Sequence, residues 1–203
     1  MKNINYFIKC GKRILDNIDK KDIEDLINLI LKVKKNKGRI FFLGVGGSAS
    51  NASHAVNDFR KIAEIECYTP TDNVSEFSAR INDDGWENSF SNWLKVSNLN
   101  KNDLVFILSV GGGNLKKNIS INLISAIKLA KNKKASIAGI VGRDGGFTLK
   151  NSNSCVLVPT VDDSLITPMA EAMQAFIWHL IISHPKIKKK KTKWESCNTL
   201  AKK

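Results

Sequence analysis

The sequence predicts an α/β protein in which five parallel strands carry helices on both faces. Two observations lead there. Short apolar runs bounded by glycine or proline alternate with segments of helical period. Three of those runs end in glycine-rich loops. Ligands in such sheets bind outside the carboxyl ends of the strands, where the three loops would meet.

The first segment, residues 1–36, reads as helical. Phe7, Ile8, Ile14, Leu15 and Ile18 recur at helical spacing, followed by Ile23, Leu26, Ile27, Ile30 and Leu31. Asp22 is the expected cap of the second helix. The pair would pack outside the core or against a second subunit. Residues 37–185 form the main domain. Its first strand spans 39–44 and feeds a helix over about 48–63. A short strand, Glu66–Thr69, stops at Pro70. A helix follows over 75–81, then a turn at Asn82-Asp83-Asp84-Gly85, then a helix over 87–96. Strands at 103–108, 135–141 and 155–158 complete the sheet, with a helix over 118–132 between the first two. The last helix, 167–183, has Thr167 as its expected cap and Pro168 at its first position. It is apolar nearly all round, which predicts burial at the sheet or at a subunit interface.

The stretch Gly44-Val45-Gly46-Gly47-Ser48 joins the first strand to its helix. Glycines let a backbone approach an anion, and a helix N-terminus presents free N–H groups and a positive dipole end. A tight βα turn without ligand has the same composition. On the helix that follows, His54 and Asp58 stand four apart and share a face. That pairing suits a metal, an acid/base pair or a surface ion pair. The second loop runs Ser109-Val110-Gly111-Gly112-Gly113-Asn114, and the third Gly142-Arg143-Asp144-Gly145-Gly146. Glu171 and His179 interrupt the apolar last helix, and buried charge needs a partner.

Composition narrows the classes. The chain of 203 residues suits one domain with a full core. No run of 18 or more apolar residues predicts no membrane span, and the first residues lack a signal peptide's apolar core, so a cytoplasmic location is expected. Cys10, Cys67, Cys155 and Cys197 form no Cys-x-x-Cys pair, and Cys67 and Cys155 fall in strands as small core residues. A net charge of +13 raises nucleic acid or acidic ligands as partners. The lysines are dispersed, however, and the arginines stand singly with no recognition motif. The dense run over 186–193 reads as part of a solvated basic tail, 186–203, and nucleic acid is not an expected partner.

Together, the Gly44–Ser48 loop, Asn82-Asp83, the Ser109 loop, Gly142–Gly146 and the Glu171…His179 helix resemble a sugar isomerase (SIS) domain. Within that family the phosphoheptose isomerases are the nearest likeness. The resemblance implies a three-layer α/β/α sandwich and a homotetramer with active sites between subunits. It implies isomerisation of sedoheptulose 7-phosphate to an aldose heptose 7-phosphate for surface polysaccharide. Gly46, Gly47, Ser48, Asp83, Ser109, Gly111, Gly112, Gly113 and Asn114 would bind substrate. Asp58, Glu171 and His179 would be catalytic. His54, Asp58, Glu171 and His179 match a set that holds zinc in some relatives, one ion per site. Asp58 stands where the family has glutamate, Glu171 where it has glutamine, and Val45 where it has asparagine.

The family's Ser-Thr-Ser-Gly-Asn-Ser phosphate loop is replaced here by Ser109–Asn114, which keeps one serine. Phosphate would therefore rest on backbone N–H groups more than on hydroxyls. Glu171 and His179 lie eight residues apart, about 12 Å along a helix, so reaching one ion demands extended side chains or two subunits. The rival reading is a non-catalytic SIS protein that senses phosphosugars or, like one bacterial tetramer, binds the replication initiator.

Overall fold

The computed structural model describes residues 1–197. Its five strands are β1 (Ile40–Leu43), β2 (Cys67–Tyr68), β3 (Leu104–Ser109), β4 (Ser136–Val141) and β5 (Ser154–Leu157). All pair in parallel, in the order β2-β1-β3-β4-β5. The helices are α1 (Lys2–Asn17), α2 (Lys20–Lys35), α3 (Gly47–Ala63), α4 (Val74–Asp84), α5 (Ser89–Val96), α6 (Ile121–Asn132), α7 (Gly146–Asn151), α8 (Ile166–Ser183) and α9 (Lys193–Ser196).

Alternation along the strands divides the core into two layers. Ile40, Phe42, Phe106 and Ile140 face α2, α3 and α8. Phe41, Leu43, Val105 and Ile107 face α5 and α6. Phe42 is clamped by Phe59 and Phe106 at ring-centre distances of 5.2 and 4.9 Å. The strand order reverses between β1 and β3, and the crevice at their carboxyl ends is the expected ligand position. Register adds to this. Leu43, the last residue of β1, pairs with Ile107, so β3 runs two residues further and delivers Ser109 to the crevice.

Several boundaries differ from the sequence expectation. Asp19, not Asp22, caps α2 by accepting from the Lys21 N–H at 2.8 Å. Nor does α2 stay outside the core, since Ile23, Leu26, Ile27, Ile30 and Val33 are buried in it. The expected turn at Asn82–Gly85 is helical through Asp84, because Arg80 pairs with both Glu76 and Asp84 one turn away on either side. The cap of α8 is Leu165 rather than Thr167. A 3-10 turn at Asp163–Leu165 runs straight into the helix and places Pro168 at its third position.

Two further segments depart from expectation. The short helix α7 was not legible. The basic tail, over its described part, is not simply solvated. Ile187 is buried in the core, the Lys189 and Lys190 N–H groups donate to the Ile62 carbonyl, and Lys190 pairs with Glu64 at 2.7 Å. Segment Asp163–Ser183 has the length and apolarity of a membrane span. Here it serves as a core helix, with Met173, Ile177, Trp178 and Ile181 buried against the rest of the domain. Burial pushes the Cys67 and Cys155 thiols up to about 12, as small core residues should behave.

Candidate active site

Helix α3 begins where the chain turns sharply out of β1. Gly46 adopts φ +62°, open to glycine but strained for other residues. Gly44 lies against the Ser48 carbonyl so closely that a Cβ would collide with it. This turn fixes Ser48 in the first turn of α3, with its side chain buried and its hydroxyl without a hydrogen-bond partner among the described residues. A hydroxyl buried unpaired is costly unless something fills its valence.

Ser48 lines a cleft of about 220 Å³ with Val45, Ser109, Val110, Gly111, Ile119, Ser120 and Arg143. Ser109 Oγ accepts from the Gly112 N–H at 3.0 Å, which leaves its own proton free to donate. The glycine loop behaves differently from expectation. The Gly112 carbonyl accepts from the Thr148 N–H and hydroxyl, and the Gly113 carbonyl from the Phe147 N–H, so both residues brace α7. Asn114 pairs its backbone with Ile119, and its side chain accepts from the Lys117 N–H. It lines a neighbouring cleft of about 300 Å³ instead. With the Gly112 N–H donated to Ser109 Oγ and the Asn114 N–H to the Ile119 carbonyl, fewer backbone N–H groups remain for the first cleft than the sequence suggested.

Hydroxyls return by another route. Residues 114–119 loop out and close on the Asn114–Ile119 bridge, and Ser120 re-enters the cleft at the start of α6. Its φ of +52° is an uncommon conformation for serine, and its side chain makes no cap. Ser120 and Arg143 are the polar lining residues that the sequence reading missed. A serine just before the apolar period of α6 was the available signal for the first. For Arg143 the signal was its position within the third glycine loop.

Two turns along α3, a second group assembles. Asp58 Oδ2 stands 3.8 Å from His54 Nε2 and 4.0 Å from His179 Nε2. The three ligand-type atoms lie within 4.8 Å of one another. The α3–α8 packing brings His179 here, and the His54 and His179 rings meet edge to face at 5.2 Å. His179 Nδ1 lies 2.7 Å from the Ala175 carbonyl, an acceptor only, so Nδ1 carries a proton and Nε2 is the ring nitrogen turned toward Asp58. A ring N–H held by a backbone carbonyl is the usual outer support of a metal-ligating histidine. Ligands at about 2.1 Å around a tetrahedral ion stand roughly 3.4 Å apart, slightly closer than these separations. Two imidazoles and a carboxylate thus fit a divalent ion with modest contraction.

Glu171 is not part of that group. Its carboxylate packs against Gly47 in the first turn of α3, where a Cβ at position 47 would strike it. Its carbonyl accepts from Asn51 Nδ2 at 3.0 Å. Asp83 lies on α4 and accepts from the neighbouring Asn82 side chain at 2.7 Å.

A family model described as "SIS domain" matches residues 6–142. The chain is 30% identical over 199 residues to phosphoheptose isomerase 2 of Campylobacter jejuni, covering 89% of this chain and 92% of that one. It is 28% identical to lincomycin biosynthesis protein LmbN of Streptomyces lincolnensis, covering 72% of this chain and 56% of LmbN. Among solved structures, phosphoheptose isomerase from Neisseria gonorrhoeae aligns with a TM-score of 0.77 at 22% identity, over 89% of this chain and 95% of that one. That last likeness is one of fold.

Proposed function

The chain belongs to the SIS-domain family, and from that premise we propose that it is a phosphosugar isomerase, converting sedoheptulose 7-phosphate to D-glycero-D-manno-heptose 7-phosphate for surface polysaccharide. One observation carries the reading. A polar cleft suited to phosphate and an acid/base group stand on the same helix, Ser48 six residues from His54 and ten from Asp58, about 9 and 15 Å along its axis, with helical side chains leaning back toward the N-terminus. A seven-carbon sugar with phosphate at one end and its reacting carbons at the other spans a comparable length.

The reaction moves a proton between adjacent carbons. Asp58, partly buried between two imidazoles, takes the proton from C1 of the ketose. The C2 oxygen gains a proton from His179 as the enediol forms. The O1 proton then leaves to the same histidine while Asp58 returns its proton to C2, giving the aldose. Ser48, Ser109 and Ser120 hold the phosphate, and Gly46, Gly47 and Gly111 give the backbone its close approach. A divalent ion, zinc by its donor set, would be held by His54, Asp58 and His179 and would supply Lewis-acid polarisation of the sugar carbonyl in place of the proton from His179. Glu171, eight residues from His179, would touch the substrate between the two groups rather than the ion. A phosphorylated sugar does not cross a bilayer unaided, so the reaction belongs in the cytoplasm.

Turnover of sedoheptulose 7-phosphate and elemental analysis on one chelator-free preparation test this reading. About one zinc per chain is expected, with metal and activity lost together in His54→Ala. Metal far below one per chain with full turnover would leave Asp58 and His179 as an acid/base pair without an ion.

A homotetramer is part of the proposal. Ile4, Tyr6, Phe7 and Ile8 on α1, and Phe176 and Leu180 flanking His179 on α8, are exposed in the single chain. Sedimentation is expected to give a species near four times 22.5 kDa. A clean monomer at micromolar concentration would contradict it.

A further inference from the structure

We propose that Arg143 is the charge-bearing phosphate ligand of this site and sets its preference for a dianionic phosphomonoester. The inference rests on the isomerase reading and adds to it a charged residue outside the hydroxyl set. Ser48, Ser109 and Ser120 offer the cleft only neutral donors, and a phosphate dianion held by neutral groups keeps its full charge. Arg143 is the one cationic side chain among the residues lining that cleft. It forms no ion pair or hydrogen bond with any described residue, although Asp144 and Asp163 line an adjoining cleft with it. An arginine left unpaired beside two carboxylates, lining the same cleft as the buried, unpartnered Ser48 hydroxyl, is arranged for an external anion.

The backbone supports the same assignment. Arg143 holds φ at +54°, a conformation that non-glycine residues seldom adopt and that concentrates at functional sites. Its Cδ lies 3.4 Å from where a Cβ would stand on Gly111. The bare glycine thus lets the arginine lie across the second loop. A larger residue at 111 would press the arginine aside. With glycine at 111, where the resemblance expects a hydroxyl-bearing residue, the loop leaves room for a planar two-pronged donor beside it.

The test uses the full chain and two variants, Arg143→Gln and Arg143→Ala, each confirmed as folded by its thermal transition. KM for sedoheptulose 7-phosphate is expected to rise about 10- to 100-fold with kcat within about threefold of wild type. The thermal stabilisation given by inorganic phosphate alone should fall away in the same variants, and Arg143→Lys should recover part of both. KM and phosphate stabilisation within twofold of wild type in both Gln and Ala variants would overturn the assignment. A wild type that never turns over the sugar, yet is stabilised by phosphate through Arg143, would sustain the ligand assignment and remove the isomerase reading instead.

Discussion

Asp58→Asn is expected to lower kcat by about 10²- to 10⁴-fold, the usual worth of a positioned general base. Asparagine keeps the size and the contact with Asn57, whose side chain now donates to Asp58 Oδ1 at 2.8 Å. What it loses is the ability to accept a proton at the oxygen that faces both imidazoles. Binding through the phosphate cleft lies nearly three helical turns away, so phosphate should stabilise the variant as it does wild type. Steady-state kinetics beside a phosphate thermal shift separates the two effects. A variant retaining more than a tenth of wild-type kcat would move the base elsewhere, with Glu171 the next carboxylate along the substrate path.

The largest stability effect is expected at the opposite end of the sheet. Asp103 is buried at the entry to β3, where it pairs with Arg39 at 2.8 Å. The same carboxylate accepts from the Arg39 and Asn100 backbone N–H groups at 2.9 and 3.0 Å, and from the Asn100 side chain. Arg39 in turn donates to the carbonyls of Ser97 and Asn98. Asp103→Ala would strand a guanidinium and two N–H groups at once. Breaking such a pair costs about 3–5 kcal/mol, which for a domain of this size lowers Tm by roughly 10 °C. Thermal unfolding by circular dichroism measures it. Because the site sits at the carboxyl ends of the strands, the surviving folded protein should keep its KM. A drop of under 2 °C would show that the network contributes little.

What could be read in advance follows the range of the interactions involved. The five strands were legible because parallel strands buried on both faces must be apolar throughout, as Ile40–Leu43 and Leu104–Leu108 are. His54 and Asp58 were legible because one turn of α3 alone sets their separation. His179 joining them depends on α8 packing against α3, which only the motif resemblance anticipated. Glu171 was grouped with them by that resemblance. The 12 Å that helix geometry puts between it and His179 agrees with where it lies, beside Gly47.

Ser120 was hidden for a different reason. Eleven residues separate it from Ser109, and nothing local says that residues 114–119 fold out and back on a two-residue bridge. Glycines 112 and 113 read as phosphate donors in the sequence, but neither lines the cleft that holds Ser48, the Gly112 N–H is given to Ser109 Oγ, and both carbonyls brace α7. The tail misled by composition. Its lysines suggested solvation, while a single apolar residue, Ile187, fastens it to the core.

The central claim, proton transfer between C1 and C2 of a phosphorylated ketose, is tested most directly by running the reaction in D2O and following the product by NMR. Asp58 exchanges its proton with solvent during the enediol's lifetime, so the heptose 7-phosphate is expected to carry solvent deuterium at C2, and Asp58→Asn should form almost none of it. Sedoheptulose 7-phosphate that binds the wild-type protein, yet acquires no deuterium and yields no aldose with zinc supplied, would contradict the account and leave a phosphosugar-binding protein in its place.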